Sequence, residues 1–257
     1  MRLQPLLFAV LLATGLPAFA QADPGTGPAI EPEAVAALDR MGKYLGTLKA
    51  FSVKGAASTE EVLPQGLKVR HDAASTMEVV RPDHVRAEQS SMSRHRLIVY
   101  DGETFSLYSK SSGYYAQAPA KATIGQLADK LEAEYAVELP LLNLFVWADQ
   151  AQRPALERAR VVGRSDVRGT PCDQYVYRQG KAEVQVWVQR GAQPLPRRVV
   201  VTALANEARP QYTADYDWTL NAQVTPAAFK FTPPAGAISV PLKRVKELVP
   251  PRAGERK

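Results

Sequence analysis

Apolar residues in this chain change their spacing twice. From Pro32 onward Val35, Leu38, Met41, Leu45 and Leu48 recur in steps of three and four, which predicts an amphipathic helix with Pro32 at a first helical position and Glu33 near the positive end of the helix dipole. Such a stripe has to cover something apolar, and a sheet is the expected partner. After Ala50 the period falls to two. Residues 51–62, 67–80 and 84–89 read as strands, bounded by the turn signals Pro64-Gln65-Gly66 and Arg81-Pro82-Asp83. Residues 96–108 form the sharpest hairpin, with Asp101-Gly102 at its tip. A two-residue turn there sets Tyr100 opposite Glu103 and Ile98 opposite Phe105, so Ile98, Tyr100, Phe105 and Leu107 share one side.

A second set of strands follows further on. The same turn logic around Gln179-Gly180 groups Tyr175, Tyr177, Val184, Val186 and Val188 on one side, and 197–204 is a nearly continuous apolar strand. Tyr212, Ala214, Tyr216, Trp218 and Leu220 alternate with Thr213, Asp215, Asp217 and Thr219, so one face packs an aromatic row and the other meets water. Nine or ten strands in an antiparallel meander are expected. Between the two sets, Ile124, Leu127, Leu131 and Tyr135 have helical spacing, and Leu139, Pro140, Leu141, Leu142, Leu144, Phe145, Val146 and Trp147 are apolar nearly all the way round. A helix apolar on every side must be buried on every side. A plain core helix and a displaceable lid over a cavity require the same residue types, so the sequence leaves both open.

Composition narrows the setting. The chain has 257 residues, 46% of them hydrophobic, enough for one sizeable core. Residues 1–20 have the form of an export leader: Arg2, a short apolar run from Leu6 to Ala13, Gly15 and Pro17, then Ala18-Phe19-Ala20, with cleavage expected between Ala20 and Gln21. No other segment is long enough to span a bilayer, and no Cys follows the small residues to take a lipid. The expected layout is a leader at 1–20, an Ala/Gly/Pro linker at 21–32, one domain at 33–242 and a solvated, disordered basic tail at 243–257. The net charge of +6 is concentrated at the ends. Losing Arg2 leaves +5, and the tail supplies +4 through Lys243, Arg244, Lys246, Arg252, Arg256 and Lys257 against Glu247 and Glu255, so the body keeps about +1. Nucleic acid is therefore not an expected partner.

Catalytic constellations are missing from the sequence. There is no nucleophile elbow, and His71, His84 and His95 lie on separate strands without metal-ligand spacing. Cys172, the one cysteine, sits between Pro171 and Asp173 and reads as structural. No cofactor is implied and no enzyme is expected.

Several segments carry a family likeness. Tyr44, Leu45, Leu48, Phe51 and Val53 resemble the opening of a group of predicted periplasmic proteins. Val167, Gly169, Cys172, Tyr175, then Val186-Trp187-Val188, Gly191 and Leu195-Pro196-Arg197-Arg198-Val199 look like their most typical segment, and Phe229, Phe231, Pro233, Pro234 and Gly236 like their closing motif. That group is similar to the LolA and LolB lipoprotein carriers and the stress sensor RseB. The resemblance implies an α+β fold, a half-open antiparallel β-barrel with an N-terminal helix and an inserted apolar helical lid, whose cavity takes acyl chains. The site it suggests places the lid residues Leu139, Leu142, Phe145, Val146 and Trp147 over Ile98, Tyr100, Phe105, Tyr216 and Trp218, with a lipid or a lipoprotein acyl chain as ligand. The alternative is a sensor or interaction protein that binds an outer-membrane or envelope protein through a sheet edge or its loops.

Overall fold

The computed structural model describes residues 28–135, 137 and 155–244. The leader with its Ala20/Gln21 junction, the tail beyond Arg244, and Leu139, Leu142, Phe145, Val146 and Trp147 lie outside the described residues. The helix predicted from the three-and-four spacing is α1, Pro32–Thr47, burying Ala34, Ala37, Leu38, Met41 and Leu45. Each large apolar side chain so buried contributes about 1.5–3 kcal/mol. Its N-cap residue, Glu31, does not cap the helix. The carboxylate instead accepts the Val161 N–H at 2.7 Å and pairs with Arg160 at 2.8 Å.

Two stacks of strands follow in chain order: β1 Ala50–Val62, β2 Lys68–Val80, β3 His84–Ser91, β4 His95–Asp101, β5 Thr104–Ser109 and β6 Tyr114–Pro119, then after helix α2 (Ile124–Tyr135) β7 Arg158–Val167, β8 Thr170–Gln179, β9 Ala182–Gln189, β10 Pro196–Ala203, β11 Gln211–Leu220 and β12 Ile238–Ser239. They form one 12-stranded sheet in the order β12-β6-β5-β4-β3-β2-β1-β11-β10-β9-β8-β7, antiparallel except for the short β12–β6 pair. The sheet is thus two meanders joined where β1 pairs with β11, and it is not closed on itself.

The strand count exceeds the expected nine or ten, for local reasons. In β6 the positions that alternate inward after Tyr114 are only Ala116 and Ala118; β7 alternates charged residues and is broken by a register shift between Val161 and Gly163; β12 is two residues long. The β4–β5 register also differs from expectation: Tyr100 faces Phe105 and Ile98 faces Leu107. The tip is Gly102-Glu103, with Gly102 at φ +88° and the Asp101 carboxylate accepting the N–H groups of Glu103 (3.1 Å) and Thr104 (2.7 Å). Because the shift is two positions, the side shared by Ile98, Tyr100, Phe105 and Leu107 is unchanged.

Both helices pack on one face of the sheet, here the inner face. Tyr177 on β8 donates its hydroxyl to the Ala34 carbonyl at 2.9 Å, fixing the start of α1, and the helix ends beside the start of β1. Its 16 residues span about 24 Å, enough to cross the strands between β8 and β1 at about 4.8 Å each. The start of α2 is held by a capping box, in which Thr123 Oγ1 accepts the Gln126 N–H and Gln126 Oε1 accepts the Thr123 N–H. Ile124, Leu127, Ala128 and Leu131 join α1 and the inner strand residues in one hydrophobic core.

The outer face is covered in part. After β11 the chain crosses β3–β6 as a strap through the short turn Pro226–Phe229. Phe229 is buried against His84 (ring centres 5.2 Å apart), and Phe231 packs on Tyr108 and Tyr115. This is why Leu97 and Val99, which point away from the helices, are also buried. Past β12 the chain returns to the helices, where Leu242 packs on the core and Arg244 pairs with Glu134 at 3.2 Å.

Candidate ligand-binding site

Strand pairing sorts the inner face of the β1–β6 half into rows. One row runs Phe105, Tyr100, Val85, Val79, Phe51 and, on β11, Leu220; the next runs Leu107, Ile98, Ala87, Met77, Val53 and Trp218; a third runs Ser109, Arg96, Gln89, Ser75, Gly55 and Tyr216. The first two rows are wholly apolar, and the third turns polar.

The first row is sealed. Tyr100 is 0% exposed, and its hydroxyl donates to the Ala122 carbonyl at 2.7 Å while accepting the Ala122 N–H at 2.9 Å, so it ties the β6–α2 connection to the sheet. Phe105 and Ile98 are likewise enclosed. Toward the third row the cover thins. Leu107, Ser75, Ala57, Ala73, Tyr212 and Trp218 are half-buried, and Gln89 and Arg96 are exposed. Trp218 packs on Phe51 (5.6 Å between ring centres) and donates its indole N–H to the Pro196 carbonyl at 2.9 Å. Tyr216 is buried beside it, and burial holds its hydroxyl neutral far above the ordinary range. The β7–β11 half continues the apolar surface under α1 with Tyr175, Tyr177, Val184, Val186 and Val199.

Ile98, Tyr100 and Phe105 therefore come together as predicted neighbours, while Tyr216 and Trp218 stand on the same face four strands away. The open end of that face, with Gln89, Ser75 and Arg96, was not singled out from sequence. Its signal was present: Arg96 precedes Ile98 by two, and period two puts both on one side.

The remaining polar chemistry lies elsewhere. His71, His84 and His95 each meet one carboxylate, of Glu61, Asp83 and Glu88 respectively. Glu88 also binds Lys110, and these hydrogen bonds, that of Lys110 foremost, hold its carboxyl below the ordinary value of 4.5. Cys172 is buried, and burial pushes its thiol up to about 11. A trough of about 670 Å³ lies on the outer face, where Ala56, Ser58, Ala74 and Thr213 stand beside the Arg198–Asp215 pair. Among the described residues no group of three or more His, Cys, Asp or Glu stands close enough to hold a metal ion, and no helix is long and apolar enough to cross a membrane.

An open antiparallel sheet with two helices packed on its inner face, and an apolar surface whose cover thins toward one end, defines the class of this molecule. Residues 34–243 match the model of the family described as predicted periplasmic protein (DUF2092), and the chain belongs to that family. No curated protein matches it. Among solved structures it is similar to LprF from Mycobacterium bovis (13% identity, 77% of this chain and 97% of that one, TM-score 0.47). It is also similar to the lipoprotein LppX from Mycobacterium tuberculosis (10% identity, 76% and 98%, TM-score 0.42). A LolA superfamily protein from Nitrosomonas europaea matches at 11% identity over 77% and 97% of the two chains, with a TM-score of 0.36.

Proposed function

We propose that the mature chain is a periplasmic, non-catalytic binding protein that holds an acyl chain, free or on a lipoprotein, against the inner face of its sheet, as a carrier or chaperone does. The observation that carries this reading is the contiguous apolar inner face, sealed at the Tyr100 row, with the next row buried at Ile98, Ala87, Met77 and Val53 but only half-buried at its two ends, Leu107 and Trp218. In this reading the sheet curves as a half-open barrel, export removes the leader between Ala20 and Gln21, and Leu139, Leu142, Phe145, Val146 and Trp147 supply the cover. Burying an acyl chain gives about 0.8 kcal/mol per methylene, so a chain of roughly ten carbons meets the cost of binding. The family description supports the periplasmic setting.

The partner-binding alternative finds less support, because both sheet edges are blunted. The β7 edge is covered by Ala29 and Glu31, which exchange hydrogen bonds with Ala159, and then breaks at Gly163; the β6 edge carries β12. Two measurements test the binding reading: native mass spectrometry of protein purified from the periplasm, and titration with the neutral fluorophore N-phenyl-1-naphthylamine. A co-purifying lipid and saturable micromolar fluorophore binding are expected. A protein that carries no lipid and leaves the fluorophore dark has no acyl site.

A further inference from the structure

The inner face has one feature that an acyl chain alone does not use. Arg96 lies opposite Gln89 on β3 and Ser109 on β5, and two positions from Ile98, so it stands on the inner face at the edge of the apolar rows. Of the inner-facing positions of β3–β6, it alone carries a charge. It is exposed, and among the described residues it has no ion pair and no side-chain hydrogen bond, whereas Lys68, Arg70 and Lys110 each meet a carboxylate. Its row neighbours are Ser109, Gln89 and Ser75, neutral groups that donate and accept hydrogen bonds without cancelling its charge.

This inference rests on the acyl-chain reading and deepens it: we propose that the ligand's head group is an anion, a carboxylate or a phosphate, and that Arg96 receives it. A guanidinium presents a planar fork of N–H donors that fits either oxyanion through two parallel hydrogen bonds. Arg96 is placed to bind the head of an amphiphile whose tail enters beside the half-buried Leu107 and points toward the sealed row. From the Arg96 row to the Tyr100 row is four residues of strand, roughly 14 Å. A merely solvated arginine at the rim would be indifferent to the charge of the head group, and that difference is measurable.

The experiment uses the full mature chain, as wild type and as Arg96→Gln and Arg96→Lys. The exposed side chain makes both variants compatible with folding. Bound N-phenyl-1-naphthylamine is displaced by palmitate, by 1-palmitoyl-lysophosphatidylglycerol and by uncharged 1-palmitoylglycerol, each kept below its critical micelle concentration. In the wild type at least one of the two anionic amphiphiles is expected to act at about tenfold lower concentration than the glycerol ester, the scale of one charge-assisted hydrogen bond. The anion that gains more identifies the head group as carboxylate or phosphate. Arg96→Gln should reduce the preference to twofold or less, each displacement being read against that variant's own fluorophore affinity, and Arg96→Lys should restore part of it. Equal displacement by all three compounds in the wild type, or a preference that survives Arg96→Gln, would overturn the assignment of Arg96 while leaving the acyl site standing. Failure of the fluorophore to bind any of the proteins would remove the site, and the head-group assignment with it.

Discussion

Tyr100 joins two jobs in one side chain. Its ring belongs to the apolar row with Phe105 and Val85, and its hydroxyl serves both backbone groups of Ala122, on the connection that launches α2. Tyr100→Phe keeps the ring and leaves half-buried backbone groups without their partner. The expected loss is about 1–3 kcal/mol in urea denaturation, with fluorophore binding retained. An unchanged denaturation midpoint would mean that water replaces the hydroxyl. The ring's side was legible from alternation alone, because period two is a property of any strand. The hydroxyl's partners were not, since they come from a segment 22 positions along the chain that only the folded molecule brings back. Arg96 shows the converse: its side was legible, and what could not be read from sequence was that its neighbours across the strands would be neutral.

At the scale of elements, the strap after β11 accounts for what the hydrophobic pattern left ambiguous. Leu97-Ile98-Val99-Tyr100 is apolar without alternation, which is the pattern of a strand covered on both faces. The inner cover is helical and the outer cover is the strap, anchored by Phe229. Phe229→Ala should cost about 3–5 kcal/mol and lower the thermal midpoint, because it empties a closed site between His84 and the β3–β4 surface. A drop below 1 kcal/mol would show that the strap closes over the gap. The strap itself was seen in the sequence only as the closing motif of a family, since a chain of turns and prolines has no period to announce its path. Helix α1 and the strands rich in branched and aromatic residues were readable because period and propensity agree there. β7, with its charged alternation and its break at Gly163, was not.

The molecule as a whole should be sensitive to alkali. Cys172 and Tyr216 are buried on different strands, and burial raises both above their ordinary values of 9.0 and 10.0, the thiol to about 11. A raised value means that the fold favours the protonated group, so its contribution is complete below the ordinary value and is lost as pH rises through the folded one. The urea midpoint should stay level from pH 7 to about 8.5, then fall from pH 9 upward, and Cys172→Ala should delay the onset toward pH 10. A midpoint level up to pH 11 would show that neither group is shielded from solvent.

The join between the two meanders also has a consequence in time. Thr59 of β1 pairs with Tyr212 of β11, 153 positions later. Closing so long a loop is slow compared with forming hairpins, and neither meander can finish the sheet alone. A polypeptide delivered from its N-terminus therefore holds β1 with one side unmatched until its last fifth arrives. Throughout that interval the strand can pair with another molecule, so the nascent protein requires either prompt completion or a companion that shields it.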